Sequence, residues 1–289
     1  MRARSHIFKG IDVLLYGNFF IATAAVIITW QTAMLMDIHI HWAMYATIFL
    51  STLFIYLLDR LLAVTPHSGK AFSYLHGWML SNRIPARTQL IFTGICLAVI
   101  AFWLPWKIWL WYGHLAFISL GYGIPILKKN DLSISLRDIG GMKVILIGYV
   151  WACTTVSGPL IAEGASFITT EALLLWLQRF LFVAALCIPF DIRDKEQDEK
   201  AGLLTLPSML GAPGAKALAI GLFVLFGLIS LLHYGYYSPI FIAHLISVCL
   251  CVVTTLPVQP RYHDRYLLGV IDGQLIIQPL LVYAFLKMA

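Results

Sequence analysis

The sequence predicts an all-α protein that crosses a lipid bilayer about nine times. Three observations carry this. Hydrophobic residues make up 60% of the 289-residue chain and charged residues 12%, against about 25% charged in a soluble domain. The mean hydropathy is +0.84. The apolar stretches run on for about 20 residues, the length of a helix across the bilayer core. They lack the alternation over about 10 residues of a membrane barrel strand. In lipid every backbone polar group needs a partner within the protein, and helices supply one.

The stretches fall at roughly 11–36, 42–63, 88–104, 107–127, 140–161, 168–190, 215–233, 236–257 and 266–286. The first is too long for a cleavable signal and runs straight into further spans. The third and fourth meet in a tight junction at Pro105, Trp106 and Lys107. No stretch is polar enough for a separate soluble domain, so residues 1–289 read as one transmembrane unit.

Charge then sets the orientation. Seventeen of the 20 basic residues fall before span one or in and at the edges of the loops after spans two, four, six and eight. Basic residues in short loops mark the cytoplasmic side. The N-terminus is therefore expected inside and the C-terminus on the opposite side, in the cell's inner membrane. The net charge of +6 reads as topology, not as nucleic-acid binding. Basic loops also suit anionic head groups or a diphosphate. The five cysteines, Cys96, Cys153, Cys187, Cys249 and Cys251, all lie in apolar spans without a CxxC pair. They read as small buried hydrophobes rather than ligands or disulfides.

The most informative segment is PFDIRDKEQDEKAGLLTLPSMLG, residues 189–211. Asp191, Asp194 and Asp198 stand at i, i+3 and i+7, one face of a helix. Three carboxylates on one face repel each other, so a cation is expected against them. Mg2+ takes one or two carboxylates together with phosphate oxygens. A solvated charged loop is the plain alternative, since Arg193, Lys195, Glu196, Glu199 and Lys200 are interleaved. Carboxylates on a membrane helix are costly and usually functional, which favours a site.

The run DIRDKEQD, followed by Gly202, Thr205, Leu206 and Pro207, resembles the second aspartate-rich motif of the UbiA-type intramembrane prenyltransferases. Tyr122 to Trp151, with Pro125, Lys128, Lys129 and Lys143, is similar to the family's region between helices four and five. The resemblance implies a helix bundle around a central cavity open to lipid. It implies Mg2+ as cofactor, an isoprenyl diphosphate at the cytoplasmic mouth, and transfer of the prenyl group to a lipophilic, aromatic or quinone-like acceptor. It assigns Asp59, Asp191, Asp194 and Asp198 as catalytic and metal-binding. It offers Arg60, Lys70, Arg87, Lys128, Lys129 and Lys143 for the diphosphate.

The first aspartate-rich motif of that family, NDxxDxxxD, is thinned here. Residues 51–60 read STLFIYLLDR, and only Asp59 remains. Aligned one way it is the middle acid, with Tyr56 in the second position. Aligned the other way it is the last. Asp12 and Asp272 are candidate substitutes near the same ends of their spans, Asp272 about 10 Å deep from Arg265. Pairing with a buried base such as Lys143 is the alternative for both. Asn18 and Gln274 could line the mouth or bond between helices. Arg179, in mid-span, must face protein or a wet cavity. It lies about 60° around the helix from Asp194, so it is expected in the same cavity. Tyr56 and Tyr122 complete the cavity candidates. Trp103, Trp106, Trp109 and Trp111, with His39 and His41, are expected at the outer interface.

Three functions remain open at this point. A prenyltransferase leads. A terpene cyclase of the same superfamily would ionise the same substrate class. A non-catalytic prenyl-lipid binder or a transporter is the reading from another class, although transporters place their sites near the bilayer midplane.

Overall fold

The computed structural model describes residues 10–63, 74–123, 127–129, 132–134, 141–200 and 203–289. The chain begins with α1 (Gly10–Tyr16) and α2 (Phe19–Leu35), which meet at 60°. Then come α3 (Trp42–Ala63), the short α4 (Tyr74–Ser81) and α5 (Arg83–Ile100), which ends in a 3-10 turn at Ala101–Trp103. α6 (Trp106–Gly123) follows, and then a two-stranded antiparallel hairpin, β1 (Leu127–Lys129) and β2 (Leu132–Ile134), with Lys128 opposite Ser133. α7 (Met142–Ala152) passes through a π-helical turn at Cys153–Ser157 into α8 (Gly158–Ala162). The long α9 (Thr170–Lys200) and α10 (Leu206–Tyr234) are followed by α11 (Pro239–Thr255). α12 (Asp264–Tyr266) leads through a second π-helical turn, Leu267–Ile271, into α13 (Gln274–Met288).

Where their residues are described, the nine expected spans lie mainly on helix. Six helical stretches are long and apolar enough to cross a membrane, and the bent pair α1–α2 makes a seventh. α11, with 17 residues, is shorter than these. The chain is an integral membrane protein, and its outer surface shows why. Phe92, Ile95, Val99, Phe117, Leu228 and Val253 are exposed on helix sides, where only lipid tails suit them.

α9 is the central helix. Of its most apolar stretch 61% is buried, against 11% for peripheral α5. Phe182, Ile188 and Ile192 of α9 join Phe223 and Phe226 of α10 and Ile28 of α2 in the main core. α7 packs close to α9 because Gly148 has no side chain. A Cβ there would stand 3.1 Å from the Phe180 carbonyl oxygen.

Three details depart from the expected spans. α9 does not stop at Phe190 but continues as helix to Lys200, so Asp191, Asp194 and Asp198 do share a helical face. The TLP sequence is the start of α10. Pro207 lies in the first turn, where its missing N–H costs nothing, and the Thr205 N–H donates to Ser208 Oγ at 2.7 Å. Gly211, at φ +71°, then kinks α10. Cys249 is exposed rather than buried, while Cys153 and Cys251 are buried as expected.

Candidate active site

The bend between α1 and α2 opens the site at one end of the bundle. Asn18 takes a left-handed conformation, φ 65°, which breaks the helix and frees two carbonyls. Arg60 Nη1 donates to Tyr16 O at 2.7 Å and Gln89 Nε2 to Gly17 O at 3.1 Å. One basic side chain of the expected diphosphate set thus also serves as a backbone cap. Asn18 is fully buried at this bend, and neither atom of its amide has a partner among the described residues.

The carboxylates around the bend are held by bases. Lys143 Nζ of α7 lies 2.5 Å from Asp191 Oδ1. Arg193 grips Asp194 with two bonds, at 2.7 and 2.9 Å. Its remaining terminal nitrogen reaches Asp264 Oδ1 at 2.9 Å. The other Asp264 oxygen accepts the Leu75 N–H at 3.1 Å, which ties α4 across the same end. Arg265 holds Asp12 in a bidentate pair at 2.9 and 3.0 Å. Asp272 follows the second π-turn, where its N–H bonds back to Leu267 O at 3.0 Å. Such π-turns cost helical bonds and recur at functional sites.

Asp12 therefore pairs with a base, Arg265, while for the Asp272 side chain no ion pair or hydrogen bond is found among the described residues. Lys143 pairs with Asp191. Asp12 has Arg265, because the α12–α13 segment packs beside α1.

An apolar cavity runs from this end into the bundle. Its main part has a volume of ≈ 540 Å³ and lies between α3, α5, α6 and α7. Tyr56, Trp109, Tyr112, Trp151 and Thr155 are among its walls. A smaller part of ≈ 140 Å³ shares Ile55, Tyr56, Ser119, Val150 and Trp151 and adds Asp59, Leu146 and Ile147. Asp59 thus stands where the apolar space meets the charged end. Lys143, one turn before Ile147 on α7, leads from it to Asp191.

The first π-turn shapes the cavity floor. It leaves three successive carbonyls turned outward, and each accepts from a neighbouring side chain. Trp111 Nε1 donates to Cys153 O at 3.3 Å, Tyr112 Oη to Thr154 O at 3.2 Å, and Thr32 Oγ1 to Thr155 O at 2.8 Å. Trp109 and Tyr112 thus belong to the cavity and its support. Trp109, expected with the outer aromatic belt, also lines the cavity. Trp103 and Trp106 are exposed, as a belt requires.

The remaining candidates separate clearly. Tyr56 lines both parts of the cavity. Asp198 lies on the last turns of α9, in line with Asp191 and Asp194. Arg87 is exposed on α5 and lines neither part of the cavity. Lys70 and the side chains of Tyr122, Lys128 and Lys129 lie outside the described residues. Arg179 is buried, but it lines a different, smaller cavity with Gln31, Gln178 and His244. α9 has neighbours on every side, and Arg179 is rotated about 120° from Asp191. Gln274 bonds within the bundle, to Val270 O and Cys251. Asp264 was not a candidate, since a lone acid in a loop carries no periodic signal.

Among the described residues no three His, Cys, Asp or Glu side chains converge on one point. A metal here would therefore need oxygens from its substrate as well. That fits Mg2+, which takes one or two carboxylates with phosphate oxygens.

Neither a family model nor a curated protein matches the sequence. Solved structures do match. Over 92% of its length the chain follows the apo structure of a UbiA homolog from Aeropyrum pernix K1, covering 97% of that chain (18% identity, TM-score 0.61). It follows a UbiA homolog from Archaeoglobus fulgidus, bound to GPP and Mg2+, over 96% of its length and 98% of the homolog's (15% identity, TM-score 0.59). A digeranylgeranylglyceryl phosphate synthase is matched over 97% of both chains (16% identity, TM-score 0.57). The protein has the UbiA fold.

Proposed function

We propose that this chain with the UbiA fold transfers an isoprenyl group from an allylic isoprenyl diphosphate to a lipophilic acceptor, with Mg2+. The observation that carries this reading is the apolar cavity that reaches Asp59 beside the Lys143–Asp191 pair. A long apolar space beneath a cluster of cations and carboxylates suits a molecule with a hydrocarbon tail and a multiply charged head. Two structures of a UbiA homolog from Archaeoglobus fulgidus, bound to GPP or DMAPP with Mg2+, support it.

In this reading the prenyl tail lies between α3, α5, α6 and α7, and the diphosphate faces Lys143, Arg60 and Arg193. Asp59, Asp191 and Asp194 would hold Mg2+, with Asp198 next along the α9 face. When bound, Mg2+ would neutralise charge on the diphosphate as the C1–O bond breaks and its electron pair leaves with the oxygen. The apolar walls exclude water from the allylic cation. Tyr56, Trp109, Tyr112 and Trp151 offer aromatic faces to it. The acceptor forms the new bond to C1 and releases a proton.

A second reading rests on the bases already paired with Asp191 and Asp194. With both carboxylates so occupied, the chain would bind a prenyl lipid without ionising it. The experiment that separates the two is incubation of the purified protein with labelled allylic diphosphates, Mg2+ and a membrane-lipid extract. Diphosphate release with transfer of label to an acceptor is the expected result. A labelled hydrocarbon without acceptor would mark a cyclase. Retention of intact diphosphate would mark a binder.

A further inference from the structure

Away from these carboxylates, a second polar cluster is enclosed by α2, α9, α10, α11 and α13. Its cation is Arg179, 4% exposed. The half-buried bases Lys143 and Arg193 have acids against them, Asp191 for the first and Asp194 and Asp264 for the second. Arg179 does not. Its Nη2 makes a long bond of 3.4 Å to Thr32 Oγ1. Among the described residues no carboxylate forms an ion pair with it. A guanidinium without a counter-charge inside a lipid-embedded bundle is costly.

The atoms around it are also unsatisfied. Among the described residues, Gln31 Nε2, Gln178 Oε1 and His244 Nε2 are buried without a partner. All three residues line, with Arg179 and Gln278, one small cavity. It leaves ≈ 10 Å³ for the centre of a water-sized sphere, which is room for one small species.

We propose that this cavity binds a single small monovalent anion of the halide class. The guanidinium supplies the counter-charge, and amide and imidazole N–H groups complete the shell. Ser230 Oγ lies 2.7 Å from His244 Nδ1. With the hydroxyl donating there, the neutral ring carries its proton on Nε2, the unpartnered atom. Gln31 offers its amide N–H. Gln178 contacts His233 Nδ1 at 3.2 Å. Its amide oxygen can take the proton of that ring, which turns its NH2 towards the anion. A water would satisfy the polar atoms but leave the guanidinium uncompensated. The site also reaches the larger cavity. Thr32, which accepts from Arg179, donates to Thr155 O in the cavity wall.

The test uses the detergent-purified full chain without substrate, so it is independent of the diphosphate reading. Replacing chloride by gluconate at constant ionic strength should lower the thermal midpoint by about 3 °C, the scale of a contribution near 1 kcal/mol in a chain of this size. Bromide should restore it saturably. Arg179→Gln should remove the halide dependence. Should that variant not fold, crystals of the unaltered chain grown in bromide decide the matter. An anomalous peak between Arg179 and His244 is expected. No peak there, with equal midpoints in chloride and gluconate, would overturn the proposal and leave a buried water.

Discussion

Lys143 Nζ stands 2.5 Å from Asp191 Oδ1, although 48 residues separate them. Asp191 is 2% exposed, and the lysine places a positive charge where a metal ion would also bind it. The pair joins α7 to central α9 at the mouth of the apolar cavity.

Removing that lysine exposes the competition. In Lys143→Met a buried carboxylate loses its partner, which typically costs about 3–5 kcal/mol. The thermal midpoint without Mg2+ should fall by several degrees. Mg2+ with an isoprenyl diphosphate should then raise it more in the variant than in the unaltered chain. Thermal unfolding with and without the two ligands checks this. An equal rise in both proteins would mean that Lys143 and the metal do not share Asp191.

Asp59 is the acid that lines the cavity, and Asp59→Asn keeps its size while removing the charge. Charge on the departing diphosphate is greatest in the transition state, so turnover should suffer more than binding. A loss of at least about tenfold in rate, or about 1.4 kcal/mol of barrier, is expected with little change in stability. Steady-state kinetics and thermal unfolding together check it. Unchanged turnover would place the metals on α9 alone.

The cavity length should select the prenyl chain. Gly113 lines the main part, and a Cβ at that position meets nothing within 4 Å. Gly113→Leu therefore fits the helix and fills cavity space. Long-chain allylic diphosphates should lose affinity by about tenfold or more, while the five-carbon substrate should keep its own. Competition binding across a chain-length series reads this directly. Equal losses for all lengths would place the tail elsewhere.

Orientation is testable by fusion. A reporter that is active only outside the cytoplasm, joined after Ala289, should be active. The same reporter inserted within residues 66–84 should be silent. The reverse pattern would put the carboxylate end on the outer face.

The sequence by itself determined the membrane class, because apolar length and low charge are properties of composition and need no partner. It determined the helical face of Asp191, Asp194 and Asp198, because i, i+3 and i+7 hold on any helix, and α9 runs unbroken to Lys200. It marked Thr205 to Pro207 only through the family resemblance; that they open α10 was decided by the structure. The tertiary structure decided which base meets which acid. Lys143 with Asp191, Arg193 with Asp264 and Arg265 with Asp12 join residues far apart in the chain, and helical periodicity says nothing about contacts between helices. It decided the π-turns at Leu267–Ile271 and at Cys153–Ser157, where Trp111, Tyr112 and Thr32 donate to the carbonyls of Cys153, Thr154 and Thr155. It also decided that Arg179 faces its own cavity rather than the carboxylates. On a helix surrounded by neighbours, a rotation of about 120° changes the partner, and only the packed bundle says who that partner is.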